Sequence, residues 1–222
     1  MSSGGRPRAL KNGEIISADS QAVYRGMDVG TAKPDASERA RIPFHLIDVA
    51  DPNEAFSVAR FKGLALDALD AIRSRGRRPL VVGGTGLYIR ALTHGLADIP
   101  VVSRAESEEA YDHMGEARFR RALRILDPRA EDRIAPSDRQ RLVRAHAVAF
   151  HTGRALSDYH AATRPVLARG SWTPLVIEPD RAEVYARCDS RVPTMVEAGA
   201  LDEVAALMAR DLDPLLPAMK AV

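Results

Sequence analysis

Pro79-Leu80-Val81-Val82 runs straight into Gly83-Gly84-Thr85-Gly86, and a helical pattern then begins at Leu87 and reaches about Thr93. A short apolar run, a glycine turn and a helix in that order is how a buried parallel strand hands over to the helix that covers it. Upstream, Glu14-Ile15-Ile16-Ser17-Ala18 reads as another short buried strand that ends at Asp19-Ser20. His45-Leu46-Ile47-Asp48-Val49 reads as one more, closed by Asp51-Pro52. Between it and the glycine turn, Ser57 stands at a helix N-cap position. Val58, Phe61, Ala65, Leu69 and Ile72 follow at three- and four-residue steps, and Gly76 is placed to end that helix. Strands alternating with helices at this spacing predict an α/β fold with a parallel sheet flanked by helices. Working groups in such sheets sit beyond the C-terminal ends of the strands, where Asp19 and Thr85 both fall.

From about Pro100 to Ala149 the strand signal disappears. The segment reads as helical and arginine-rich, with breaks at Asp127-Pro128 and Ala135-Pro136. Thr173 to Ile177 returns to the strand pattern, and helices then run through Tyr185 and Val204. The organisation expected is an α/β core of residues 1–98 and 166–222, interrupted by a helical insertion at 99–165.

The chain has 222 residues, 45% of them apolar and 28% charged, which is ordinary for a folded globular protein. No apolar run approaches the ~20 residues that cross a bilayer. The basic stretch Met1 to Lys11 lacks the apolar core of a secretion signal. Cys188 is the single cysteine, so no internal disulfide forms, and no Cys/His cluster has metal-site spacing. A cytoplasmic protein without a membrane partner is expected. Four of the 32 basic residues are lysines, which leaves 28 arginines. A G- and C-rich genome explains that bias; so does contact with phosphate, whose geometry guanidinium matches. Between Arg118 and Arg144, nine arginines face Asp127, Glu131, Asp132 and Asp138, an excess of five positive charges that favours a nucleic-acid surface over a merely solvated helix face.

Several residues carry chemistry under one reading and architecture under another. The glycines at 83–86 open backbone N–H groups to an anion, or simply allow a tight turn. Asp19 accepts a proton from a substrate nitrogen, or caps the following turn. Arg187 and Arg191, one helical turn apart, hold a diphosphate, or are surface arginines. His45 opens a strand and reads as structural. None of the four lysines follows a glycine, so the phosphate loop of ATP-binding kinases is absent from the sequence as given.

The block Ile15-Ile16-Ser17-Ala18-Asp19-Ser20-Gln21-Ala22-Val23-Tyr24-Arg25-Gly26-Met27-Asp28-Val29-Gly30-Thr31-Ala32-Lys33-Pro34 resembles the signature of the tRNA dimethylallyltransferases, the tRNA isopentenyltransferases of bacteria. His45 to Asp48, Val82 to Tyr88, Asp138 to Ala145 and Leu216 to Ala221 match the same family in order. The resemblance implies a core similar to phosphate-loop nucleotide kinases with a helical insertion. It implies an enzyme that moves a dimethylallyl group from dimethylallyl diphosphate to the exocyclic amine of the adenosine 3′ of the tRNA anticodon, with Mg2+ as cofactor and the protein acting as a monomer. By the same resemblance Asp19 is the catalytic base, Thr85 contacts substrate, and Arg191 pairs with the diphosphate. Asp19, Ser20, Gln21, Ala22, Thr85, Arg104, Gln140, Arg141, Leu142, Val143 and Arg144 are the tRNA-contacting positions it implies, and it implies no protein ligands for the metal.

In the family pattern a first strand and a phosphate loop precede Asn12, and a further helix with a tRNA-binding motif follows Val222. The stretch Met1 to Arg8 matches neither, so weak or absent activity is expected of the chain as written. An adenylate isopentenyltransferase and a non-catalytic tRNA-binding remnant are the competing readings. The arginine-rich segment opposes the first, because a free nucleotide needs no such surface.

Overall fold

The computed structural model describes residues 12–220. Expectations placed on residues 1–11 and on Ala221-Val222 lie outside the described residues. The chain divides into two compact units: the described residues up to Leu92 together with those from Gly170 on, and Thr93–Arg169.

The first unit is built on a parallel sheet of β1 (Gly13–Ser17), β2 (Phe44–His45) and β3 (Arg78–Val82), in the order β2-β1-β3. β1 is central, with Ile15 opposite both Phe44 and Leu80. A strand flanked on both sides has no polar face to spare, and Ile16 is fully buried. Glu14, also buried on β1, is hydrogen-bonded to His45 at 2.6 Å and ion-paired with Arg75 at 2.7 Å. The Arg75 and His45 hydrogen bonds outweigh burial and hold the Glu14 carboxyl below its usual range. Helix α1 (Ala36–Arg41) starts at Asp35, which accepts from the Glu38 N–H in a capping box. Helix α2 (Val58–Ser74) starts at Ser57, whose hydroxyl caps Arg60 N. It buries Phe61, Ala65, Leu69 and Ile72 on one stripe, and Gly76 follows with φ +67. Phe61 stacks on Tyr88 of α3 (Gly86–Thr93) with ring centroids 4.0 Å apart. Each such fully buried large side chain is worth ~1.5–3 kcal/mol of transfer free energy.

Two strand expectations need correction. The strand read over His45–Val49 stops at His45, because Leu46 (φ 64) and Asp48 (φ 59) are left-handed. The chain kinks there and resumes pairing with a different partner: Asp48 N donates to Ala22 O, Ala50 N to Val23 O, and Ala50 bridges Tyr24. Thr173 to Ile177 forms no strand. It pairs with none of the described strands, so its backbone has no ladder and Leu175, Val176 and Ile177 are 72–88% exposed. The rest of this unit is α8 (Arg181–Glu197), which contains Pro193 and buries no residue, α9 (Ala200–Met208) and a closing 3-10 turn.

The second unit is helical: α4 (Ala105–Leu126), α5 (Pro128–Arg133), α6 (Arg139–Thr152) and α7 (Leu156–Ala162). α4 is interrupted at Gly115, whose φ of +71 is not helical. Its core gathers Phe119, Leu123, Leu142, Val143, Ala145, Val148 and Leu156. Asp127, wholly buried, accepts from Ala130 N at 2.9 Å and from Ser157 N at 2.8 Å, so one carboxylate fixes the starts of both α5 and α7.

Candidate active site

The candidate site grows from the C-terminal end of β1. Ala18 N continues the ladder to Val82 O at 2.7 Å, and Ala18 O accepts from Thr85 N at 3.1 Å. The turn after β3 is thereby laid against the end of β1. Gly83 makes this possible: a β-carbon there would sit 2.3 Å from Ala18 O. Of the two readings of the glycine turn, close backbone approach accounts for Gly83, whereas Gly84 and Gly86 face open space. The consequence is chemical. Thr85 Oγ1 accepts from Ser20 N at 2.9 Å and donates to Ser20 Oγ at 3.2 Å.

Asp19 lies half-buried inside this lattice, where Oδ1 accepts from Gln21 N at 2.8 Å. This is the turn cap foreseen for Asp19, and it leaves Oδ2 without a hydrogen bond from the described residues. The cap fixes the carboxylate's direction and the second oxygen stays available, so the two readings of Asp19 coexist. Nearby, Gln21 Oε1 is buried without a hydrogen-bond partner. Burial, then the charges of Tyr24 and Asp19, push the Tyr88 phenol up to about 12, so it stays neutral beside Asp19.

The IPP transferase family model matches residues 22–222. This chain belongs to the IPP transferase family. It is similar to the tRNA dimethylallyltransferase of Caulobacter sp. (strain K31), 53% identical over 95% of this chain and 69% of the relative. The enzyme of the same name from Phenylobacterium zucineum (strain HLK1) is 51% identical over 94% of this chain and 68% of its own. Among solved structures, the tRNA isopentenylpyrophosphate transferase of Bacillus halodurans aligns with a TM-score of 0.59 and 36% identity, covering 95% of this chain and 66% of that one. A eukaryotic dimethylallyltransferase acting on tRNA aligns with a TM-score of 0.73 and 26% identity, over 92% of this chain and 52% of that one. The chain therefore spans about two thirds of its bacterial relatives.

Set on this IPP transferase frame, the expected site residues separate. Asp19, Ser20, Gln21 and Thr85 are brought together, and Ala22 is buried behind them. Arg191 is exposed on α8 with Nε against Met195 Sδ, and it shares no hydrogen bond or ion pair with that cluster. Arg187 is engaged by Glu183 at 2.5 Å, so the two arginines do not form a free fork. In the helical unit, Arg104 is exposed at the start of α4, and Gln140, Arg141 and Arg144 are exposed along α6. The side chains of Leu142 and Val143 are buried in the core of this unit.

The nine arginines of 118–144 also divide. Arg120 and Arg124 hold Glu131, Arg129 pairs with Asp158, Arg139 with Asp112 and Arg141 with Asp138. Arg118, Arg121, Arg133 and Arg144 are exposed and make no ion pair among the described residues. The basic surface is smaller than the count of charges suggests.

Sequence reasoning assigned no role to Lys33 or Glu203. The Lys33 side chain is 1% exposed and its ammonium donates to Tyr24 O and, at 2.7 Å each, to Asp28 and Asp48. Its rarity, one lysine in four among 32 basic residues, was the available signal. Glu203 gave none, since its partners lie more than 170 residues away. Among the described residues no group of three or more His, Cys, Asp or Glu is placed to hold a metal ion. The described residues do not make a protein cage for Mg2+. No described helix is long and apolar enough to cross a membrane.

Proposed function

We propose that this protein transfers a dimethylallyl group from dimethylallyl diphosphate to N6 of the adenosine 3′-adjacent to the anticodon in tRNA. The observation that carries the reading is the Asp19 carboxylate at the end of the central strand. One oxygen is pinned by Gln21 N and the other accepts no hydrogen bond from the described residues, while Thr85 is tied to the adjacent Ser20.

In the reaction, a bond forms between N6 and C1 of the allyl group while the C1–O bond breaks. The diphosphate departs with the electron pair, and N6 must shed one proton. Asp19 Oδ2 orients the amine and receives that proton. The Ser20–Thr85 pair keeps the turn rigid while bonds change. An anticodon adenine reaches such a carboxylate only when drawn out of its stack, which suits single-stranded loop recognition. Arginine excess in the helical unit supplies phosphate contacts. The diphosphate and any divalent ion travelling with it enter as substrate chemistry, with the ion's charge matched by phosphate oxygens.

The test is an assay of the purified protein with labelled dimethylallyl diphosphate and an anticodon stem-loop. Slow but detectable prenylation of the RNA is expected, with Asp19→Asn slowing the reaction by a further ~10²-fold or more. Prenylation of AMP in preference to the stem-loop would favour an adenylate isopentenyltransferase. Salt-sensitive RNA binding without product, unchanged by Asp19→Asn, would favour a tRNA-binding remnant.

A further inference from the structure

Glu203, in the first turn of α9, holds a carboxylate against three successive backbone amides. Oε2 accepts from Asp28 N at 2.6 Å and Val29 N at 2.8 Å, and Oε1 accepts from Gly30 N at 3.0 Å. Three consecutive N–H groups converging on one anion form a nest, whose partial positive charge meets this carboxylate. Gly30 lets the carboxylate approach closely: a β-carbon there would lie 3.2 Å from Glu203 Oε1, so the side chain would have to shift by a few tenths of an ångström.

The nest does not end at residue 30. Lys33 N donates to Asp28 O at 3.0 Å, and Lys33 Nζ donates to Asp28 Oδ1, Asp48 Oδ1 and Tyr24 O. Tyr24 is bridged to Ala50 and its N–H reaches Gln21 O. Gln21 N, in turn, aims the Asp19 carboxylate. An unbroken series of hydrogen bonds thus runs Glu203, Asp28, Lys33, Tyr24, Gln21, Asp19.

We infer that Glu203 is a positioning residue: its carboxylate locks the loop at 28–30 and, through Lys33 and Tyr24, sets the turn that orients Asp19. The catalytic part of this statement rests on the proposed prenyl transfer; the conformational part does not. A one-residue displacement in this series would turn Asp19 Oδ2 away from its target, a kind of loss that costs far more in kcat than in binding. Without the Glu203 carboxylate, the three amides present an empty anion site, and a small soluble carboxylate has the chemistry to refill it.

The experiment compares Glu203→Gln, Glu203→Asp and Glu203→Ala with the unaltered protein by amide exchange over residues 18–33 and by steady-state kinetics. Glu203→Gln is expected to speed exchange at residues 28–30 and at Gln21, and to lower kcat about tenfold while KM for the stem-loop stays within about twofold. Glu203→Asp restores most of both. Acetate at ~100 mM restores protection and part of the rate to Glu203→Ala, and chloride at the same ionic strength does not. In an Asp19→Asn background, Glu203→Gln is expected to cost less than about twofold more, since both act on one step.

Arg210→Gln is the control. It cuts a separate tie just past the end of α9, the 2.5 Å contact of Arg210 with Asp51, without touching the nest. If it accelerates Gln21 exchange as much as Glu203→Gln, the effect is general loosening of α9 and the inference fails. It fails equally if Gln21 exchange is unmoved by Glu203→Gln, or if the Asp19 and Glu203 effects multiply. A protein that makes no product at all overturns the proposed reaction instead, and the exchange and acetate measurements still decide the role of Glu203.

Discussion

Gly83 and Ala18 meet so closely that the missing β-carbon of one would overlap the carbonyl oxygen of the other, at 2.3 Å. Because the same carbonyl accepts from Thr85 N, relief of that overlap must move Thr85 as well. Gly83→Ala is expected to destabilise the protein by ~1–3 kcal/mol, the usual cost of overpacking. It should also depress prenyl transfer more than Gly84→Ala, which adds its methyl to open space. Denaturant midpoints and kcat on both variants check this. Equal behaviour of the two would mean that the turn yields without disturbing Thr85.

The Lys33 side chain is sealed from solvent while it holds two carboxylates and a carbonyl. Lys33→Met keeps the length and removes the charge, leaving Asp28 and Asp48 facing one another across the loop. Loss of one partner of a buried pair costs ~3–5 kcal/mol, and the exposure of Asp28 and the second cation, Arg39, on Asp48 place this case at the lower end. Lys33→Arg should not rescue, since a planar fork does not reproduce three donors on one nitrogen. Urea unfolding of both variants is the measurement.

The pH dependence of stability should show two separate windows. Burial, and then the charge of His151, hold the His146 imidazole below its ordinary value of 6.5. A depressed histidine favours the neutral form when folded, so its contribution is present above pH 6.5 and is lost as pH falls below it. The Arg124 hydrogen bond holds the Glu131 carboxyl down against burial, with Arg120 adding to it. Its contribution is complete above pH 4.5 and disappears as pH falls through the lowered value. Thermal midpoints should therefore slip between pH 7 and 5.5 and again below 4.5. His146→Gln, which keeps a partner for Ser107 Oγ, is expected to flatten the first slope alone. A first slope unchanged by that substitution would assign it to other groups.

Much of this architecture is legible in local sequence. The cap at Ser57, the stripe from Phe61 to Ile72 and the stop at Gly76 are events within one helix, and they fix α2 without tertiary information. Asp19 and Thr85 could be placed at strand ends because a strand's direction and the turn after it are local too. What the sequence hides depends on distant partners. His45 to Val49 has the pattern of a strand, but residues 48–50 find Ala22 and Val23 more readily than a continued ladder on β1. Thr173 to Ile177 has strand composition with no neighbour to pair with among the described residues. Leu142 and Val143 belong to a matching motif, yet helical periodicity turns them inward between exposed Arg141 and Arg144. Charge counting meets the same limit, since a guanidinium cannot be told from its sequence to be paired already.

That pairing separates the arginines by experiment. Arg118, Arg121, Arg133 and Arg144 are free to neutralise phosphates, whereas Arg139 is held by both oxygens of Asp112 at 2.8 Å and lies over the Tyr111 ring. Each phosphate contact made with a single-stranded loop contributes about 0.7 to the slope of log K against log salt. Arg144→Ala should therefore weaken stem-loop binding and lower that slope by roughly 0.7, with thermal stability unchanged. Arg139→Ala should do the reverse, costing stability on the order of 1 kcal/mol through its lost ion pair and ring contact while leaving the slope intact. Titrations between low and moderate salt, with melting curves on the same samples, distinguish the two. If Arg139→Ala reduces the slope as Arg144→Ala does, the Asp112 pair opens on RNA binding and the basic surface is larger than the free protein displays.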